Sequence, residues 1–131
     1  MRECLSFDDV LLIPQYSDVK SRKEVNIESR LGTTTFPLPI IPSPMDTITE
    51  TEMSLAMDEA GGLGIIHRYC SISEQVGLVS YEGVRAAAIG VTGDYLERAS
   101  ALHGAGIRIF CLDVAHGDHI LMRDAIEKLK E

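Results

Sequence analysis

Positive charge is scarce in this sequence: twelve Lys and Arg stand against twenty Asp and Glu, a formal net charge of -8 with His neutral. That balance argues against a nucleic-acid partner, because gripping a phosphate backbone takes a basic face that releases counterions. Cysteine is scarcer still. Cys4, Cys70 and Cys111 are odd in number and show no C-x-x-C spacing, which argues against a disulfide framework and a zinc knuckle. No apolar run approaches the roughly 20 residues that span a bilayer. The opening residues lack the apolar stretch and cleavage site of a signal peptide, so no membrane partner is expected and the cytoplasm is the default location. What remains, 45% hydrophobic and 24% charged residues, is the composition of a globular protein rather than a disordered tail. A chain of 131 residues fits a single domain, 1–131, with one core.

Residues 1–36 read as an irregular polar arm, with Pro14 and the charged stretch Lys20 to Glu24 between short apolar pieces. From 37 to 131 short apolar runs alternate with helix-period segments, the mark of βα units around a parallel sheet. Four units can be counted. The first strand is Pro39 to Pro42. Thr49 and Glu52 then suggest a capping box, with Met53, Ala56, Met57 and Ala60 on one helix face. The second strand, Leu63 to Ile66, leads to a capping box at Ser71 and Glu74 and a face of Ile72, Val76 and Val79. The third strand spans about Val84 to Val91. Asp94 and Glu97 cap its helix, which turns Leu96, Ala99 and Leu102 inward. The fourth strand, Ile107 to Val114, is an almost unbroken apolar run, the pattern of a strand covered on both faces. A last helix from about His119 presents Met122, Ile126 and Leu129. A complete (β/α)8 barrel takes about 250 residues and eight units, and this chain has about half of each.

In a parallel α/β fold the useful residues follow the carboxyl ends of the strands. Four clusters occupy those places: Ser43 to Thr47, His67 to Tyr69, Gly90 to Gly93, and Asp113 to His119. The first reads equally as a loop with an N-cap. Asp113 closes an apolar strand, where an unpaired carboxylate is costly, so it contacts a ligand hydroxyl or a backbone amide. His67 is either a pocket group or a packed imidazole donating to backbone. His116 and His119 lack a third well-spaced ligand, and no metal site is expected. The glycines at 61, 62 and 64 lead from helix to strand, the reverse of a dinucleotide fingerprint. Cys111 reads as an inert buried thiol, Cys4 lies in the arm, and no base is evident beside Cys70.

Taken together, four segments resemble the IMP dehydrogenase/GMP reductase family: Leu5 to Pro14 (LSFDDVLLIP), Pro42 to Glu50 (PSPMDTITE), Gly61 to Arg68 (GGLGIIHR) and Cys111 to Gly117 (CLDVAHG). The resemblance implies a (β/α)8 barrel that exchanges hydride between NAD or NADP and C2 of a purine nucleotide. It implies that Ser43 and Met45 line the nucleotide site, and that His67 and Asp113 lie on the cofactor side with Asp113 near a ribose hydroxyl. A carboxylate suits that place because it accepts two hydrogen bonds from a vicinal diol.

Some of the family's parts are missing from this sequence. Its nucleophilic cysteine loop, Gly-x-Gly-Ser-x-Cys-x-Thr, with the monovalent-cation ligands, has no counterpart here, nor do its later phosphate-binding loops and its flap. No catalytic residue is therefore assigned. Ser80 to Gly83 bridges directly the place where the dehydrogenases usually insert a CBS pair. The expectation is an α/β chain forming the N-terminal half, about four βα units, of a TIM-type barrel. Its function is that of an IMP dehydrogenase, IMP to XMP with NAD, completed by a C-terminal half. GMP reductase, GMP to IMP with NADPH, is the alternative, and a non-catalytic half-barrel module is the rival of another class. Partners are a purine nucleotide and either a complementary half-barrel chain or a second copy.

Overall fold

The computed structural model describes residues 3–130. The arm is irregular as far as residue 28, apart from single 3-10 turns at Phe7–Asp9 and Arg22–Glu24. It then departs from expectation. Ser29–Leu31 (β1) and Thr34–Phe36 (β2) pair antiparallel as a hairpin, Leu31 opposite Thr34. The two-residue turn is Gly32-Thr33, and Gly32 has φ 59°, a conformation a Cβ would strain. The hairpin anchors itself through Phe36, which is buried.

Beyond residue 37 helices and strands alternate as the periodicity predicts: Thr51–Glu59 (α1), Ile65–Ile66 (β3), Ile72–Val79 (α2), Ala86–Ile89 (β4), Tyr95–Gly104 (α3), Ile109–Leu112 (β5) and Ile120–Leu129 (α4). The strands form one parallel sheet in the order β3-β4-β5, with Ile65 opposite Ala86 and Ala86 opposite Ile109. It has three strands, not four. The segment Pro39 to Pro42 runs beside residues 61–63, where Leu38 N–H donates to Gly61 C=O and Leu63 N–H to Ile40 C=O, but it forms no strand. Pro39 and Pro42 have no N–H to give, so a ladder there has no regular donors.

Side chains on β4 alternate as pleating requires. Ala87 and Ile89 face the helices with Ile66, Val79, Leu102 and Ile107, whereas Ala86 and Ala88 face the other side with Phe36, Leu63 and Ile65. β4 is central and wholly buried. β5 is half-buried along its length rather than covered on both faces, because among the described residues its outer edge has no neighbouring strand.

Two helix faces also differ from expectation. α1 buries Ser54, while Met53, Ala56 and Ala60 are exposed. The reason is packing: a Cβ on Gly64 would lie 2.4 Å from the Ser54 Cα, so helix and chain touch where both are small. α3 buries Tyr95, Arg98, Ala99 and Leu102 and leaves Leu96 outside. Thr49 makes no capping box. Its hydroxyl donates to Ser43 C=O at 2.7 Å instead, and no side chain caps α1.

Candidate functional site at the carboxyl ends of the strands

β3 stops at Ile66, and the chain turns away from β4 into His67, Arg68 and Tyr69. Across the sheet, Asp113 N–H donates to Ile89 C=O at 2.9 Å, carrying the ladder one step past β5 and fixing the carboxylate at the strand end. Arg68 and Tyr69 reach that carboxylate over the end of β4. Arg68 Nε–H donates to Asp113 Oδ2 at 3.2 Å and Tyr69 Oη–H to the same oxygen at 3.3 Å. The Arg68 guanidinium also lies 5.4 Å from the Tyr69 ring centroid, within cation–π range. Gly90 stands below this bridge, where a Cβ would sit 3.6 Å from Arg68 Nη1, so residues with longer side chains would crowd it. The ion pair is partly exposed, so its own stabilisation is small, about 1 kcal/mol or less. Asp113 Oδ1 has no donor among the described residues and remains open to a ligand.

His67 is the packed member of the group, only 2% exposed. Its Nδ1 accepts from Tyr69 N–H at 3.1 Å, which leaves the proton on Nε2, directed at Glu50 Oε1 at 3.3 Å. Both ring nitrogens are thus engaged within the protein. The imidazole also stacks on the Tyr69 ring at 6.2 Å between centroids. His67 therefore sets the Tyr69 backbone and one face of its ring. Beside it opens a cleft of about 590 Å³, walled by Tyr69 and Tyr81 and rimmed by Asp46, Glu50 and Glu74. Three carboxylates around one cleft disfavour a phosphate there and suit a ribosyl or amide group.

Ser43 and Met45 lie on the neighbouring loop, with exposed side chains. Ser43 C=O accepts from Met45 N–H and from Thr49 Oγ1–H, and Met45 C=O accepts from the N–H groups of Ile48 and Thr49. The loop is held by its own backbone. It meets the Asp113 group only indirectly, where His67 N–H donates to Thr49 C=O at 3.4 Å.

Cys70 and Cys111 are not activated. Burial pushes the Cys70 thiol above the ordinary value, only partly opposed by the nearby Arg98 charge, and burial together with the Asp113 charge raises Cys111. His119 Nδ1 accepts from Leu121 N–H and caps α4. Among the described residues no group of three or more His, Cys, Asp or Glu is arranged to hold a metal, and no helix is long and apolar enough to cross a membrane.

Sequence reasoning did not single out Gln75 or Arg98, both buried. A signal was present. Gln75 falls on the Ile72, Val76, Val79 face of α2, and Arg98 on the Ala99, Leu102 face of α3, so each is a polar residue inside an apolar stripe.

The sequence pattern of the IMP dehydrogenase / GMP reductase domain matches residues 4–131. An inosine-5'-monophosphate dehydrogenase of Nitrosopumilus maritimus is 48% identical over 75 residues, which are 56% of this chain and 16% of that relative. A GMP reductase of Leishmania donovani is 50% identical over 78 residues, 59% of this chain and 16% of the relative. The crystal structure of an inosine 5' monophosphate dehydrogenase from Legionella pneumophila superposes with a TM-score of 0.83 at 37% identity, covering 98% of this chain and 41% of that one. The chain thus matches well under half the length of these relatives. With the pattern matching nearly every residue and the α/β fold shared, the chain belongs to the IMP dehydrogenase/GMP reductase family of oxidoreductases.

Proposed function

We propose that this chain forms the first half of a (β/α)8 barrel and supplies the cofactor side, and part of the nucleotide side, of a purine nucleotide oxidoreductase. One observation carries the reading: a carboxylate at a strand end, with one oxygen held by Arg68 and Tyr69 and the other open. That donor set fits a dinucleotide. Asp113 would accept from a ribose hydroxyl, Arg68 would hold its carboxylate in place, and the exposed Tyr69 ring would offer a flat apolar surface to a planar ring. NAD or NADP, when bound, supplies the hydride chemistry. His67 orients Tyr69 and, through Glu50, the cleft wall, while Ser43 and Met45 face the purine nucleotide.

No residue of the chain is proposed as the nucleophile, because the two thiols nearest the strand ends are protonated at neutral pH. Turnover therefore needs a complementary C-terminal half, which also brings the cysteine loop and the monovalent-cation ligands. IMP dehydrogenase is the preferred activity. GMP reductase is the second reading, favoured by the direct Ser80 to Gly83 bridge and by a relative of that name at 50% identity. The cytoplasm is the proposed location, a reading supported by a free purine nucleotide as substrate.

The test mixes the purified chain with a chain bearing the missing units and follows NAD(P)H at 340 nm with IMP and with GMP. Turnover should appear only in the mixture. Asp113→Ala should then weaken cofactor use by about 1.5 to 3 kcal/mol, roughly ten- to a hundredfold, while Ser43→Ala acts on the purine nucleotide. A mixture that associates without turnover points to the non-catalytic module, and unchanged cofactor affinity in Asp113→Ala removes the assigned role.

A further inference from the structure

β3 is two residues long, whereas β4 continues for two more past the point where their pairing ends at Ile66 and Ala87. Beyond that point the strands separate. Past the paired residues the carbonyls of His67 and Ala88, both in buried residues, receive no backbone N–H among the described residues. The Gln75 side chain enters this gap, with its amide nitrogen 2.8 Å from both oxygens. The amide oxygen is not idle. It accepts from Arg98 Nη1–H at 2.8 Å, and Arg98 Nη2–H continues to Asp94 Oδ2 at 2.8 Å.

Gln75 is fully buried and Arg98 only 7% exposed. Removing such groups from water is costly, and apolar side chains of similar volume at both positions would fill the space without that cost. An apolar pair would not hold two carbonyls apart or tie them to Asp94. The chain of contacts runs from the loop after β4, where Asp94 sits, through α3 and α2 to the loop after β3, where His67 begins the turn to Arg68 and Tyr69. The loop after β4 lies between the other two strand ends, and the loop after β3 carries Arg68 and Tyr69 across it to Asp113.

We infer that Gln75 and Arg98 are positioning residues for the cofactor-side site: they hold β3 splayed from β4 and lock the loops after both strands in one register, so that Arg68 and Tyr69 meet Asp113. The purpose of this clamp rests on the function proposed above, but its geometry does not. Neither residue lines the cleft beside His67, so Gln75 acts through the His67 carbonyl and Arg98 through Gln75, not on a reacting group.

Amide hydrogen exchange read by NMR on the full 131-residue chain tests it, with NAD+ titration as a separate measurement. In Gln75→Met and in Arg98→Met, exchange at Tyr69 should accelerate about tenfold or more while the paired β4 and β5 amides keep their rates. Arg98→Lys, which can still reach the Gln75 oxygen, should restore part of the protection. Asp94→Asn keeps the half-exposed end neutral and leaves the interior intact, and should loosen the loop after β4 with a smaller change at Tyr69. It also serves if the methionine variants do not fold. Equal acceleration at Tyr69, β4 and β5 would mean a merely structural role and overturn the inference, as would an unchanged Tyr69 rate in every folded variant. NAD+ binding equally well to wild type and to a loosened variant would also remove the positioning role while leaving the proposed function standing. A loosened platform in a chain whose wild type ignores NAD+ both alone and with the complementary half would do the reverse.

Discussion

At the residue scale, small side chains do as much here as charged ones. Gly64 has an ordinary backbone, so its role is room alone: any Cβ would drive into the Ser54 backbone of α1. Gly64→Ala should cost about 3 kcal/mol, the upper part of the overpacking range, seen as a lower urea midpoint with an unchanged slope. Gly77 is the control. It sits in α2 with nothing within 4 Å of a built Cβ, so Gly77→Ala should stabilise by about 0.5 to 1 kcal/mol. A similar loss at both positions would refute the close-packing account. That Asp113 needs a polar partner was legible, because an acid at the end of an apolar run is costly to leave unpaired. That the partners are Arg68 and Tyr69, 45 and 44 positions away, was not legible, since it depends on β3 and β5 flanking β4.

Among the elements, α2 matches its reading most closely. Ser71 N–H and Oγ–H both donate to Glu74 Oε2, at 2.8 and 2.6 Å, and Glu74 N–H donates to Ser71 Oγ at 3.2 Å. Removing the cap with Ser71→Ala should cost about 1 kcal/mol in thermal or urea unfolding. The Ser71 hydrogen bonds, first the hydroxyl and then the backbone, hold the Glu74 carboxyl below its ordinary 4.5. Because the folded value is the lower one, this contribution is complete above about pH 4.5 and vanishes as pH falls through the folded value. The cap signals of Ser71 should follow that titration, and a Glu74 that titrates at its ordinary value would contradict it. α1 shows where sequence pattern misleads. Of its apolar stripe Met53, Ala56, Met57 and Ala60, only Met57 is half-buried and the other three face outward, because close contact with Gly64 selects the side carrying Ser54. The first strand failed for a different reason: its apolar residues were read correctly, but prolines on both sides deny it a ladder. Strand order, register and the hairpin lie beyond periodicity, which describes one element at a time.

Viewed whole, the described residues have one covered sheet face and one open strand edge. The face of the sheet toward α2 and α3 is a closed core, whereas the outer edge of β5 is open and Phe7, Leu11 and Leu12 of the arm are almost fully exposed at 97%, 95% and 98%. Apolar surface on that scale marks a contact, and the net charge of -8 slows association without covering the edge. Sedimentation velocity at micromolar concentration should therefore show self-association above 14.4 kDa, reduced when the complementary half is added. A single compact 14.4 kDa species would refute this. The opposite end of the sheet has another use. There the Arg85 guanidinium is held between the Phe36 ring and Asp58, which fastens the hairpin to the amino-terminal ends of the strands, away from Asp113. Gly32 and Thr33 of the turn are exposed, with open space around Gly32. A biotin or fluorophore attached at Thr33 would thus tether the chain through the hairpin and not through the loops around Asp113, and an immobilised chain could be titrated with nucleotide without the label touching the proposed site.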